Sequence, residues 1–398
     1  MKADLGVPMA KSMSGLEMLG RSGGARMKAR VKRLGLAFHT GKRRCDGGMG
    51  ARVWLLCPLA LALCGAFALG GAFVLCSPSA QAQSNIVLVG SGSSVPAPLY
   101  TRWSQDYGKR SAKIQFRYVP IGTGEGIKEI SRGASDFSAG EAQLTEKERK
   151  EGGLIELPAV LIGIVPIYNL PDIHQELRLS GEVLAGIFLG DIKTWNAPQI
   201  AKLNPDITLP NLPIQVVNRP GGKGSNYVFT DFLSKASSKF RSQVGVSSSP
   251  KWPVGDPAER SADMADKVKS NAGSIGFVEY QYAVKANIPQ AAVLNAAGKF
   301  VKATKEGISA ACKAAEEPGF NNFSASLANA PGADSYPISS FTWIYLRTSS
   351  PDAARASALG DLLEWIYTDG QQIAVQEGYS ALPAQLLTAV RKKAKAVQ

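Results

Sequence analysis

The chain has 398 residues, enough for two to three domains with sizeable cores, and a formal net charge of +13. Residues 1–82 carry 12 Lys and Arg against 3 Asp and Glu, so they supply +9 and leave +4 for everything after them. That distribution argues against diffuse nucleic-acid binding, which needs its cations on the folded domain.

The leading segment reads as a targeting sequence. VWLLCPLALALCGAFALGGAFVLC (residues 53–76) is apolar and uncharged, follows Arg52 and leads into SPSAQAQ, where Ala80-Gln81-Ala82 matches a secretory cleavage pattern. The expectation is export with cleavage after Ala82; a retained membrane anchor is the alternative, since the run is long enough to span a bilayer. Bulky Leu75 argues against lipid attachment at Cys76, and Met49 would begin a signal of ordinary proportions. Cys45, Cys57, Cys64 and Cys76 all lie in this segment, so Cys312 stands alone beyond it and no disulfide framework is expected. Cys312, in GISAACKAAEE, reads as a small packed hydrophobe of a helix.

From residue 83 short apolar runs alternate with amphipathic segments, the pattern of βαβ units in an α/β fold. NIVLVGSG predicts a strand, and VPAPLYTRWSQDYGKR a helix in which Val95, Leu99, Trp103 and Tyr107 recur every four residues as one buried stripe. Pro96 and Pro98 suit it because they fall in the first turn. KIQFRYVPIG and GIKEISRG repeat the strand-helix order. VLIGIVPIYN predicts a fully buried strand, GEVLAGIFLGDIKTW a helix, IQVVNRPGGKGSNYVF a strand, turn and helix, and SIGFVEYQYAV a strand. SYPISSFTWIYLRT returns to strand and ASALGDLLEWIYTDGQQIAVQEG to helix. No repeat, low-complexity tract or linker composition follows residue 83, so any domains are joined by strands passing between them.

Three turns share one design. GSGSSVPAP (90–98), PIGTGEGIKE (120–129) and NRPGGKGSNY (218–227) each run from a strand end through Gly and Ser or Thr into a helix start. Each offers backbone donors and a hydroxyl at the positive end of a helix. None is a nucleotide loop: Gly224 follows Lys223 where a P-loop needs Ser or Thr, and the dinucleotide pattern is absent. Taken singly each is a tight turn, but three in one chain point to convergence on an oxyanion, with Arg219 as the charged fork. Catalysis has few candidates. His39 lies in the leading segment, so a Ser-His or Cys-His arrangement would need His174, which reads as a surface or capping residue. Beyond residue 83 there is no G-x-S-x-G elbow and no metal-ligand cluster, so no enzyme activity, cofactor or metal is expected.

At this point the residues match a family. GSGSSVPAPLYTRW, GTGEGIKEI, SDFSAGEAQLTEKE, GIFLGDIKTWNAPQIAKLNP, VVNRPGGKGSNYVFTDFLSK, SIGFVEYQYA and YPISSFTWIYL, in this order, make the chain resemble the periplasmic phosphate-binding proteins of ABC phosphate importers. The resemblance implies a type II periplasmic-binding-protein fold, two α/β lobes joined by two strand crossovers near Pro166 and Pro337. One lobe would combine residues 83–166 with 338–398, the other residues 167–337. It further implies a periplasmic monomer that binds inorganic phosphate and delivers it to a membrane ABC permease. The first loop would contribute the Ser94 hydroxyl and the Val95 N–H, the second the Thr123 hydroxyl. Glu141 would accept the ligand's own proton, Arg219 would bind its charge, and Lys223, Gly224 and Ser225 would supply the remaining donors.

Three positions depart from the family pattern. Glu141 stands where an aspartate is usual, Gly221 where an acid usually follows the arginine, and Lys223 where a serine is usual. A carboxylate in an anion site repels a fully ionised ligand but accepts from one that keeps a proton, which separates phosphate from sulfate. Lys223 could pair with Glu141 across the site, contact the ligand, or point to solvent. These departures keep three rivals open: a different oxyanion on the same fold, a secreted phosphoesterase using His174, and a structural or signalling protein that retained the fold.

Overall fold

A run of four apolar residues, Ile86 to Val89, sets the first strand, and glycine ends it. In the computed structural model, which describes residues 85–315 and 325–396, β1 (Ile86–Gly92) leads to α1 (Ala97–Arg110), β2 (Ile114–Pro120), α2 (Thr123–Ser131) and β3 (Phe137–Gly140). The expected secretory signal, its alternatives and the four leading cysteines lie outside the described residues. In α1, Leu99, Trp103 and Tyr107 form the buried stripe, and Trp103 Nε1 donates to the Gly370 carbonyl at 2.8 Å, so the ring is buried without an orphaned donor. Lys109 and Arg110 end the helix where its dipole is negative.

A capping box at Thr145 and Glu148 starts α3 (Glu146–Lys150), which precedes β4 (Leu154–Tyr168). β4 has 15 residues, and Leu157, Val160, Leu161, Ile162, Ile164, Val165 and Ile167 are each at most 1% exposed. Their burial contributes roughly 1.5–3 kcal/mol apiece. There follow β5 (Arg178–Leu179), α4 (Gly181–Phe188), α5 (Pro198–Ala201), β6 (Gln215–Asn218), α6 (Gly224–Ala236), α7 (Ser238–Gln243), β7 (Asp256–Pro257), α8 (Ser261–Ser270), β8 (Ser274–Glu279), α9 (Tyr280–Lys285), β9 (Ala292–Leu294), β10 (Phe300–Val301) and α10 (Lys305–Ala315). β11 (Ser339–Arg347), α11 (Ala353–Ile366), α12 (Asp369–Gln376) and α13 (Ala384–Lys395) complete the order.

The principal sheet runs β2-β1-β3-β11-β4-β8-β6-β7, and β10-β9-β5 form a second. β4 is the seam. Its residues Leu154 to Gly163 pair antiparallel with β11, and Ile164 to Tyr168 pair antiparallel with β8. Ile164 N–H donates to the Ile338 carbonyl at 2.9 Å, so the strand changes partners where the chain returns into β11. Aromatic packing forms a cluster on each side of this seam. Tyr100, Trp103, Tyr118, Phe116 and Phe137 pack together on one, and Phe188, Phe229, Phe277 and Trp252 on the other.

Several sequence expectations shift. The helix from Gly181 stops at Phe188 and not at Trp195, because Gly190 adopts φ +79° and turns the chain. SIGFVEYQYAV is strand only to Glu279; Tyr280 to Lys285 form α9, tertiary packing overriding the strand preference of its aromatics. The single helix expected over 356–378 is two, α11 and α12, broken at Thr368. Cys312 is buried in α10. Among the described residues no helix is long and apolar enough to cross a membrane.

Candidate functional site

The three glycine turns meet at the seam. Gly92 (φ +136°) carries β1 past β3 so closely that a Cβ there would stand 2.0 Å from the Ala139 carbonyl oxygen. Its own carbonyl accepts from Ile121 and Gly122 N–H at 2.8 and 2.7 Å, which ties the first turn to the second. Gly122 (φ +97°) then starts α2, and Gly222 (φ +82°) lies just ahead of α6. Both helix starts therefore present backbone N–H groups to one place.

Glu141, one residue beyond β3, occupies that place and is fully buried. Thr123 Oγ1 donates to its Oε2 at 3.2 Å, and the Ser93 hydroxyl also bonds to the carboxyl. Gly224 closes the opposite side: a Cβ added there would stand 1.5 Å from Glu141 Oε2 and 2.8 Å from Thr123 Oγ1. Thus a turn from beyond β4 lies directly on residues that precede β4, a closed arrangement. Glu141 Oε1, Arg219 Nε and Ser225 Oγ are buried polar atoms without a protein partner, an unusual concentration for a native interior.

Arg219 is fully buried, its guanidinium donating to Ser261 Oγ at 3.1 Å and to the Glu259 carbonyl at 3.4 Å. Its backbone carbonyl accepts from Trp252 Nε1 at 3.0 Å, which fixes the loop. Lys223 does not pair with Glu141, the first of the courses expected for it. Its Nζ lies 3.1 Å from Glu259 Oε2 at the rim, where Glu259 is largely exposed, a pair contributing about 0–1 kcal/mol. Gly221 packs toward Ser249, whose Oγ accepts from Gly222 N–H at 2.8 Å.

Of the eight residues expected from the sequence, Val95, Thr123, Glu141, Arg219, Gly224 and Ser225 are buried around this cleft. Ser94 is exposed; the buried hydroxyl on Glu141 is that of Ser93, and it also accepts from Val95 N–H at 3.1 Å. Adjacent serines in GSGSS give no sign of which one the turn points inward. Sequence reasoning also missed Ser261, Glu259 and Glu279; the only signal for Glu279 is a single acid within the apolar SIGFVEY. His174 is exposed between β4 and β5.

Burial pushes the Glu141 carboxyl up to about 8, against the opposing bonds from Ser93 and Thr123, with buried Glu279 adding repulsion. The hydroxyls of Tyr100, Tyr118, Tyr345 and Tyr379 nearby are held neutral, mainly by burial. An acid that titrates near 4.5 when free and about 8 when enclosed leaves the closed state unpenalised below the lower value. The penalty grows as pH rises to the upper value, on the order of 5 kcal/mol in full. In anion-free buffer, the melting temperature of the wild type should therefore fall relative to that of Glu141→Gln from about pH 5 to about pH 9. Parallel melting curves across that range would mean that Glu141 ionises as freely as a surface acid.

Two α/β halves joined by strands and closed on a buried polar cleft define the type II periplasmic-binding-protein fold, and a family model described as a PBP superfamily domain matches residues 78–369. The phosphate-binding protein PstS of Xylella fastidiosa strain 9a5c is 34% identical over 311 residues, 78% of this chain and 85% of that protein. PstS of Haemophilus influenzae is 34% identical over 319 residues, 80% of this chain and 94% of that protein. A crystal structure of a phosphate-binding protein from Stenotrophomonas maltophilia shares the fold with a TM-score of 0.58 at 20% identity, covering 77% of this chain and 93% of its own. The chain belongs to the family of PstS phosphate-binding proteins.

Proposed function

We propose that the protein captures inorganic phosphate between its two lobes and delivers it to the membrane permease of an ABC importer, without covalent chemistry. The observation that carries this reading is the set of buried, unpartnered polar atoms on Glu141, Arg219 and Ser225 at the closed cleft. In this reading Arg219 binds the anion's charge, and the start of α6 at Gly224 and Ser225 supplies donors. Thr123 and Ser93 orient Glu141, whose Oε1 faces the ligand's proton. Four or five charge-assisted hydrogen bonds at about 1.5–3 kcal/mol each offset the cost of closure and leave roughly the −8 kcal/mol of a micromolar site. Lobes of residues 83–166 plus 338–398 and 167–337 would rotate about β4 and the start of β11, the ligand favouring closure only through contacts made in the closed state. The protein would act as an exported periplasmic monomer after cleavage at Ala82.

A neutral Glu141 motivates the second reading, the same cleft taking another oxyanion. Below about pH 8 a protonated carboxyl can donate to sulfate; above it only an anion that keeps a proton is accepted. Calorimetric titration of the chain from Gln83, stripped of ligand by unfolding and refolding, separates the two. Phosphate should bind in the micromolar range or tighter, and sulfate should be at least about a hundredfold weaker at alkaline pH, the gap narrowing toward acid. Equal binding of both anions at alkaline pH would defeat the phosphate reading.

A further inference from the structure

The buried charge of Arg219 has an unusual partner. Among the described residues no carboxylate lies within 4.0 Å of its guanidinium, although an isolated buried cation is costly. Nη1 donates to Ser261 Oγ at 3.1 Å, and Ser261 Oγ in turn donates to Glu279 Oε2 at 2.7 Å. The direction of both bonds is fixed, because arginine can only donate and the hydroxyl has a single proton. Ser261 is the first residue of α8, and Glu279, 3% exposed, is the last of β8, facing Ile164 of β4 where that strand changes partners.

We propose that Ser261 and Glu279 form a positioning relay for Arg219: the hydroxyl orients the guanidinium, and the carboxylate supplies its counter-charge from the seam and sets how strongly the site attracts an anion. Around Glu279 stand Ser261 and Arg219, Glu141 across the cleft, Tyr379, and Tyr282 on the helix that follows. Both tyrosines titrate above their usual range, chiefly through burial, so Glu141 is the neighbour that changes charge.

The inference rests on the phosphate reading, and two variants separate orientation from charge. Ser261→Ala breaks the relay and keeps both charges; phosphate affinity should fall about tenfold, the value of one bond to a charged group, with an unshifted pH profile. Glu279→Gln keeps an acceptor for Ser261 and removes the charge. The anion then becomes the main compensation for Arg219, beside the more distant Asp263, so sulfate and phosphate should bind about three- to tenfold tighter. The pH midpoint of melting in anion-free buffer should move toward acid as repulsion on Glu141 is relieved. Folded variants that both match the wild type in affinity and melting profile, or that both merely weaken binding without a pH shift, overturn the relay. If the wild type binds no phosphate, the functional reading falls, while the melting profile of Glu279→Gln still decides the relay.

Discussion

Replacing Gly224 with alanine is expected to keep the two lobes apart and to weaken phosphate binding about a hundredfold or more. The added Cβ would lie 1.5 Å from Glu141 Oε2 and 2.6 Å from its Cδ, and 2.8 Å from Thr123 Oγ1. Overpacking in a core costs about 1–3 kcal/mol, and contacts this short against buried atoms belong at the upper end. The backbone itself would not object, because φ at Gly224 is not positive and alanine is the better helix former in the first turn of α6. The clash therefore acts on the closed arrangement alone. Small-angle scattering with and without phosphate, beside calorimetry, reads both effects. A variant that compacts on adding phosphate and binds it as tightly as the wild type would show that the approach of the two turns is not needed for capture.

Arg219→Ala should be more damaging still. Two charge-assisted bonds at about 1.5–3 kcal/mol each correspond to a loss of two to four orders of magnitude in affinity. Arg219→Lys should recover little, because an ammonium cannot reproduce the planar fork that also reaches Ser261 and the Glu259 carbonyl. Removing the arginine leaves Glu279 as the uncompensated buried charge, so Arg219→Ala should also melt lower, and the double variant with Glu279→Gln should regain part of that loss. Calorimetry and thermal melting of the single and double variants test this together. Near-normal affinity in Arg219→Ala would move the anion site away from this loop.

Much of the cleft was legible because its signals are local. Strand, glycine and helix start follow one another within ten residues in each of the three turns, and Arg219, Thr123 and Ser225 are set by those turns, whereas Glu141, just beyond β3, was reached only through the family resemblance. What escaped depends on distance or on turn phase. Ser93 and Ser94 are neighbours of the same type in sequence, and only the folded turn shows that Ser93 is buried and Ser94 exposed. Glu279 lies 60 residues beyond Arg219 and meets it only because β6 and β8 are neighbours in the sheet. Lys223 reaches Glu259 for the same reason, since the relevant neighbour is contributed by the segment between β7 and α8. Helix ends were misjudged where tertiary contacts overrode propensity, at α9 and between α11 and α12.

The position of β11 bears on how such a chain matures. It is the last of the described strands in chain order, yet it stands between β3 and β4 at the middle of the principal sheet, and its ladder with β4 joins Ser339 to Gly163 and Arg347 to Leu154. While the ribosome is still short of residue 347, β1 to β3 have no route to β4. Such distant pairings are slow to form because loop closure precedes any gain from contact. In the principal sheet, β1 to β3, translated early, are joined to β4 only through a strand translated late.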